Sequence, residues 1–376
     1  MDADAYAGTV KVTNAVNATG AQIAVAGGHK LVGDVDVVGS GVEFGVAGPN
    51  AVDFFGEVEV KDGAFLHVKA KFYNFTATAE RPMLVHGANT VLSLYGKQVA
   101  DGRRLPDDAY VHVYDGARIW LRGVNLTGST QSTTPYLVVS NATVDASSEK
   151  ISSSTAHIHT HIAGMYGESD IVFSGNVATY SNDGLVIHGP LNVCSGTTTV
   201  HRASGSSCKL TFQQSAYNDN GNLQVADGAL LRIAVPLTQP PIKKGAGTLE
   251  LMEGAKFGDS GHSLTLQEGY LKVNALADGL DTVTVSNGAG FDLTEAGSIY
   301  QPSNGVALVA TSGTVKLKTG MRPLARGDYL VRWNEGHKPN ARFVLESDEP
   351  RSSRFRAIKL SNGVRIGFQQ FMILVR

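Results

Sequence analysis

His157-Ile158-His159-Thr160-His161 is the densest run of ligand-type side chains in the 376-residue sequence. On a β-strand, residues two apart share a face, with about 7 Å between successive Cβ atoms. Neutral imidazole ligates zinc, copper or nickel. His157, His159 and His161 are therefore the candidate metal ligands, and they need a further donor from a neighbouring strand, for which Glu168, Asp170 or His188 would serve. No His-Glu-x-x-His or paired Cys/His spacing accompanies them. The plain alternative is a solvent-facing row of histidines with Ile158 and Ile162 turned inward. Hydrolysis of a glycosidic bond would call for two carboxylates roughly 5–10 Å apart. Asp107-Asp108, and Asp53 with Glu57 and Glu59, supply the residue type, as exposed turn and strand carboxylates also would. No residue is singled out as catalytic. No cofactor is called for either, because Gly27-Gly28 and Gly39-Ser40-Gly41 lie between short strands with no following helix to receive a phosphate. Cys194 and Cys208 form no Cys-x-x-Cys pair, which leaves open one disulfide or two thiols.

The elements that must position these residues are strands. The chain holds 43 glycines, 42% hydrophobic residues and only 18% charged ones, a composition that excludes a disordered polyelectrolyte. Val and Thr favour pleated backbone, while Gly and Asn favour tight turns. One unit recurs: an alternating apolar strand, a polar turn ending in Gly, then a second alternating strand. It reads Val58-Glu-Val-Lys-Asp-Gly63-Ala-Phe-Leu-His-Val68, Val111-His-Val-Tyr-Asp-Gly116-Ala-Arg-Ile-Trp-Leu121 and Leu223-Gln-Val-Ala-Asp-Gly228-Ala-Leu-Leu-Arg-Ile233. Further copies turn at Gly254, Gly269 and Gly288, and a degenerate one turns at Asn141-Ala142. A single unit cannot bury its apolar face, but stacked units bury a continuous core. The spacing of 26, 15 and 19 residues between Gly228, Gly254, Gly269 and Gly288 excludes a strict helical-repeat period and suits rungs of unequal length. The expected fold is all-β, a parallel β-helix (β-solenoid), with rungs over residues 1–320. Loops are expected to protrude near 101–108, 146–155 and 236–241. Residues 321–376 read as a C-terminal β cap, with Ser361-Asn362-Gly363 as a hairpin turn.

The x-Val-x-Val-x-Asp-Gly-Ala-x-Leu-x-Val unit resembles the strand repeats of bacterial autotransporter passengers and related surface proteins with autotransporter-associated β-strand repeats. The stretch from Gly327-Asp-Tyr-Leu-Val-Arg-Trp333 through Ile358-Lys-Leu-Ser-Asn-Gly363 resembles the segment that closes such regions. The resemblance implies export, a right-handed pectin-lyase-like β-helix and a surface or adhesive role. It transfers no catalytic residue, and no outer-membrane barrel accompanies the repeats.

The formal net charge is −2, which provides no general field for nucleic acid. The charge is unevenly placed: from Gly320 to Arg376 there are 11 Lys and Arg against 5 Asp and Glu. That basic tail is either a solvated cap or a partner surface. No run of 18 apolar residues occurs, so no transmembrane helix is expected. Met1-Asp2-Ala3-Asp4-Ala5 is not a secretory leader, so an exported protein would here have lost its signal. The expectation is a non-enzymatic extracellular or cell-surface protein, structural or adhesive, with a glycan, a host-surface protein or a second copy as partner. The alternative is a carbohydrate-active β-helix enzyme, a polysaccharide lyase or a glycoside hydrolase of tailspike type.

Overall fold

The structure is a computed structural model. It describes the chain from Ala5 to Phe368 apart from residues 8–9, 14–21, 27–29, 33, 76–80, 96–110, 123–136, 147–156, 161, 174–183, 189–190, 203–208, 214–221, 238–239, 258–261, 274–279, 296–299, 301–306, 311–312 and 334–337. Its regular structure is β throughout, save a single 3₁₀ turn at Ser352–Arg354. The chain divides into two compact units, Met1–Asn222 and Leu223–Arg376, each a β-solenoid of parallel stacked strands.

In the first unit the chain passes repeatedly from one sheet to another through a tight corner. Val58–Lys61 lies in one sheet and Phe65–Phe75 in the other, and the same holds for Val111–Tyr114 and Arg118–Arg122. The Asp-Gly turn therefore does not close a hairpin. Each flanking strand pairs in parallel with its counterpart a rung away: Val111 faces Met83 and Leu137, and Ile119 faces Leu92 and Val144. The corner itself follows from residue type. Asp62 and Gly63 both have positive φ (58° and 82°), as do Asp115 and Gly116 (54° and 82°). An i→i+3 bond closes each turn, from Ala64 N–H to the Lys61 carbonyl and from Ala117 N–H to the Tyr114 carbonyl. Positive φ at both central residues is the type I′ signature, and Asp and Gly adopt it at the lowest steric cost.

Alternation then sends every second residue inward. Val35, Val58, Met83, Val111, Leu137 and Ile162 form one buried column, and Phe44, Leu66, Leu92, Ile119, Val144 and Ile171 another. Burying such a side chain is worth about 1.5–3 kcal/mol. A third parallel sheet joins at His157–Thr160, Gly184–His188 and Lys209–Gln213.

The second unit builds the same way, with Leu231, Leu249, Leu271, Phe291 and Leu317 stacked inward. Its corners differ: at Gly228, Gly254 and Gly288 only the glycine has positive φ (73°, 100° and 84°), the type II pattern. They also serve different edges. Gly254 leads from Thr248–Leu251 into Lys256–Phe257 of the third sheet, whereas Gly269 and Gly288 lead from the sheet that holds Val58–Lys61 into the one that holds Phe65–Phe75. The first two residues of the Pro-rich stretch, Pro236–Leu237, form a short strand on Lys256–Phe257, with Leu237 buried. Of the other sequence-expected loops, 101–108 lies outside the described residues, and so does 146–155 apart from Ala146, which is buried and donates to the Val172 carbonyl at 2.8 Å.

Arg342–Ser347 is the last strand of the parallel stack, in register with Thr314–Gly320. Tyr329–Arg332, Gly363–Phe368 and Phe355–Lys359 form a separate three-stranded antiparallel sheet in that order. Its hairpin closes at Ser361-Asn362, where Leu360 N–H donates to the Gly363 carbonyl at 2.7 Å.

Candidate functional site

Outward residues of stacked strands form columns, because parallel in-register pairing places like positions side by side. In the second unit one column runs Arg232, Glu250, Lys272. Glu250, 2% exposed, accepts from Arg232 Nε at 2.9 Å and faces Lys272 Nζ at 3.1 Å. Lys272 also reaches Glu295 at 2.5 Å. Burial alone would raise the Glu250 carboxyl, but its bonds to Arg232 and Lys272 outweigh this and hold it below the usual range. Lys272 is held above its ordinary value: burial opposes this, and Glu295 and Glu250 overcome it. Further along the same face Tyr270 donates to Glu346, whose other oxygen lies 2.9 Å from Lys316 Nζ. Burial and the hydrogen bond to Glu346 push the Tyr270 phenol up. Burial would raise Glu346, but Tyr270 and Lys316 leave it below its usual value. A general acid needs a raised carboxyl and a phenolic base a lowered phenol. Both groups are shifted the other way.

On the sheet that holds Val58–Lys61, Glu59 meets Lys61 at 2.5 Å and His86 Nε2 at 2.9 Å, and His86 stacks on Tyr114 with centroids 4.7 Å apart. Burial would raise Glu59, and its bonds to Lys61 and His86 lower it overall.

Inside the second unit Lys243 takes an inward position in register with Leu266 and is fully buried. Its ammonium donates to the carbonyls of Gly245, Gly247 (2.6 Å) and Glu268 (3.0 Å). A Cβ on Gly269 would sit 2.3 Å from the Lys243 Nζ, so the corner requires glycine there. Burial pushes Lys243 down to about 8, with Glu268 opposing.

One cleft of the second unit lies between Arg342–Ser347 and Phe355–Lys359, an edge strand of the antiparallel sheet. This cleft of about 360 Å³ is lined by Arg342, Phe343, Phe355, Arg356 and Lys359 among others. Lys359 bridges it, donating to the Ala341 carbonyl at 3.1 Å. Burial and the neighbouring Lys338 shift the Lys359 ammonium down. Arg342 and Arg356 are exposed, and no ion pair among the described residues engages either guanidinium. At its rim Phe355 stacks on Phe368 with centroids 5.6 Å apart, and Arg326 lies over the Phe368 ring at 5.5 Å.

The residues singled out from sequence are dispersed. His157 and His159 lie in the strand His157–Thr160, in register with Gly184 and Val186. His161 lies outside the described residues. Glu168 and Asp170 belong to a different sheet, paired with Thr197 and Thr199, and His188 pairs with Gln213. Among the described residues no group of three His, Cys, Asp or Glu side chains is arranged to hold a metal. Glu57 lies 3.7 Å from Arg81 and apart from the Glu59 cluster, and Asp107-Asp108 lies outside the described residues. Cys194 is a free thiol, and Cys208 lies outside the described residues. Sequence reading marked the tail as basic without finding the cleft. No spacing in the sequence marks it, because Arg342, Phe343, Phe355, Arg356 and Lys359 follow no single alternation.

Compared with known proteins, the chain matches no family model, no curated protein and no solved structure.

Proposed function

We propose that this chain is a non-enzymatic structural or adhesive protein of the cell surface or extracellular space. Its stacked rungs act as a rigid scaffold that contacts a glycan, a protein surface or another copy of itself. The observation that carries this reading is the state of the outward polar columns. Glu59, Glu250 and Glu346 are each engaged by cations and held as anions, which stiffens neighbouring rungs against one another and leaves none of these three carboxyls poised as a proton donor. The repeat's resemblance to autotransporter passengers points the same way, towards display outside a cell on a right-handed β-helix closed by the terminal antiparallel sheet.

The test is a panel of polysaccharides incubated with the purified chain. Reducing ends and absorbance at 235 nm report cleavage, and co-sedimentation reports retention. Retention without new chain ends is the expected result. New chain ends would overturn the reading in favour of a carbohydrate-active enzyme and direct attention to Glu59 and His86.

A further inference from the structure

Among the described residues, two arginines of this cleft are not neutralised as the cations of the parallel columns are. Arg232, Lys272 and Lys316 each have a carboxylate partner within 3.1 Å. Arg342 and Arg356 have none among the described residues, and Lys359 spends one hydrogen on a backbone carbonyl. Burial, and after it the like charge of Lys338, shifts the Lys359 ammonium down. Concentrated like charge around a cleft is unfavourable until an anion arrives. The guanidinium fork matches a carboxylate with two parallel hydrogen bonds. The Phe355–Phe368 pair at the rim, with Phe368 48% exposed, offers a flat apolar surface of the kind a sugar ring covers.

We propose that the cleft between Arg342–Ser347 and Phe355–Lys359 binds a linear anionic polysaccharide carrying a carboxylate on its sugars. Arg342 and Arg356 take carboxylates, Lys359 supplies a further donor, and the Phe355–Phe368 pair supports a sugar face. This rests on the adhesive reading above and names its ligand class. Nucleic acid fits less well, because its dense phosphate charge is met by long positive tracts, and the chain as a whole carries a formal charge of −2.

The experiment is calorimetric titration of the full chain with three probes: an oligogalacturonate, its methyl ester and an oligothymidylate of equal length. The oligogalacturonate is expected to bind, with affinity falling as salt rises. The ester and the oligothymidylate are expected to bind at least tenfold more weakly. The double variant Arg342→Ala/Arg356→Ala, both positions being exposed, is expected to lose at least tenfold in affinity with an unchanged melting temperature. Arg81→Ala, an exposed cation of the first unit, is expected to bind as the parent does. Equal binding of ester and acid overturns the proposal on the parent protein alone, whatever the variants do. So does an oligothymidylate that binds as tightly, an unaffected double variant, or no binding of the acid. Retention of a neutral polysaccharide without galacturonate binding would overturn the cleft and leave the adhesive reading standing. Release of new chain ends from any polysaccharide would overturn the adhesive reading itself.

Discussion

Glu268 holds the Lys243 corner from two sides: its carbonyl accepts from the Lys243 ammonium at 3.0 Å, and its carboxylate accepts from the Gly245 amide at 2.9 Å. The two contacts differ in what they leave behind when removed. Lys243→Met keeps a similar volume but strips its donor from three carbonyls; Gly247 keeps the Tyr270 amide at 3.0 Å, whereas those of Gly245 and Glu268 lose their donor, at about 1–3 kcal/mol for each one left unpaired. The expected loss for Lys243→Met is therefore at least about 2 kcal/mol. Glu268→Ala removes only the amide acceptor at a part-exposed site and keeps the carbonyl, so about 1 kcal/mol is expected. Denaturant unfolding of the two variants checks the order. Near-equal losses would mean that the carboxylate, rather than the buried ammonium, organises the corner.

That same corner shows where sequence reading reached its limit. Alternation with a terminal Asn-Gly or Asp-Gly was legible at Val58–Val68, Val111–Leu121 and Val283–Leu293, because inward Val and Leu mark the core face and Gly marks the turn. The corner at Gly245–Gly247 escaped notice, since its inward position is a lysine and reads as surface. Gly254, read as an equivalent copy, turns a different edge. The unequal spacing of 26 and 15 residues arises from those two facts. Pro236–Leu237 was read as an interruption, yet it makes a strand just two residues long, too short for periodicity to register. The candidate cleft was illegible because it depends on how two strands flanking a turn splay, which no spacing encodes.

The charged column of the second unit fixes the sign of the pH dependence. Glu250 and Glu346 have folded values below 4.5, so their stabilisation is present above that pH and is lost as pH falls through the lowered values. Lys272 lies above 10.5 when folded, so its contribution is full below that pH and disappears only as pH rises past its raised value. Lys243 works oppositely on the alkaline side. Its folded value of about 8 lies below 10.5, so stability gains between those two pH values as the neutral amine becomes cheaper to bury than the ammonium. Thermal melts across pH should fall below pH 4.5 for the parent and less steeply for Glu250→Gln. An acid limb unchanged by Glu250→Gln would show that the Arg232–Glu250–Lys272 column contributes no net stability.

Asn287 and Gly313 form a staple between rungs. The Asn287 Oδ1 accepts from Thr314 N–H at 2.8 Å, and a Cβ on Gly313 would lie 2.2 Å from that oxygen. Gly288 has a comparable φ of 84° against 76° for Gly313, yet a Cβ there would meet nothing within 4 Å. Gly288→Ala is expected to cost about 1–2 kcal/mol from left-handed strain alone. Gly313→Ala should cost about 1 kcal/mol more, because the staple must also break. Asn287→Ala/Gly313→Ala should then cost less than the sum of the single changes, since the same bond cannot be lost twice. Strict additivity in chemical denaturation would show that Asn287 and Gly313 do not compete for that space.

Tyr300 is 2% exposed and stacks on Phe291 with ring centroids 4.0 Å apart. Its hydroxyl is buried with no hydrogen-bond partner among the described residues, and burial pushes the phenol above its ordinary value. The ring is therefore placed by packing, while its oxygen has given up water without a replacement among the described residues. An unpaired buried hydroxyl costs about 1–3 kcal/mol. Tyr300→Phe keeps the stack and removes the orphan, so a gain of about 1 kcal/mol and a higher melting temperature are expected. Tyr300→Leu keeps the burial but loses the aromatic contact, and is expected to destabilise. A loss of stability on Tyr300→Phe would reveal a partner for the hydroxyl, and an ordered water in that pocket would be the first place to look.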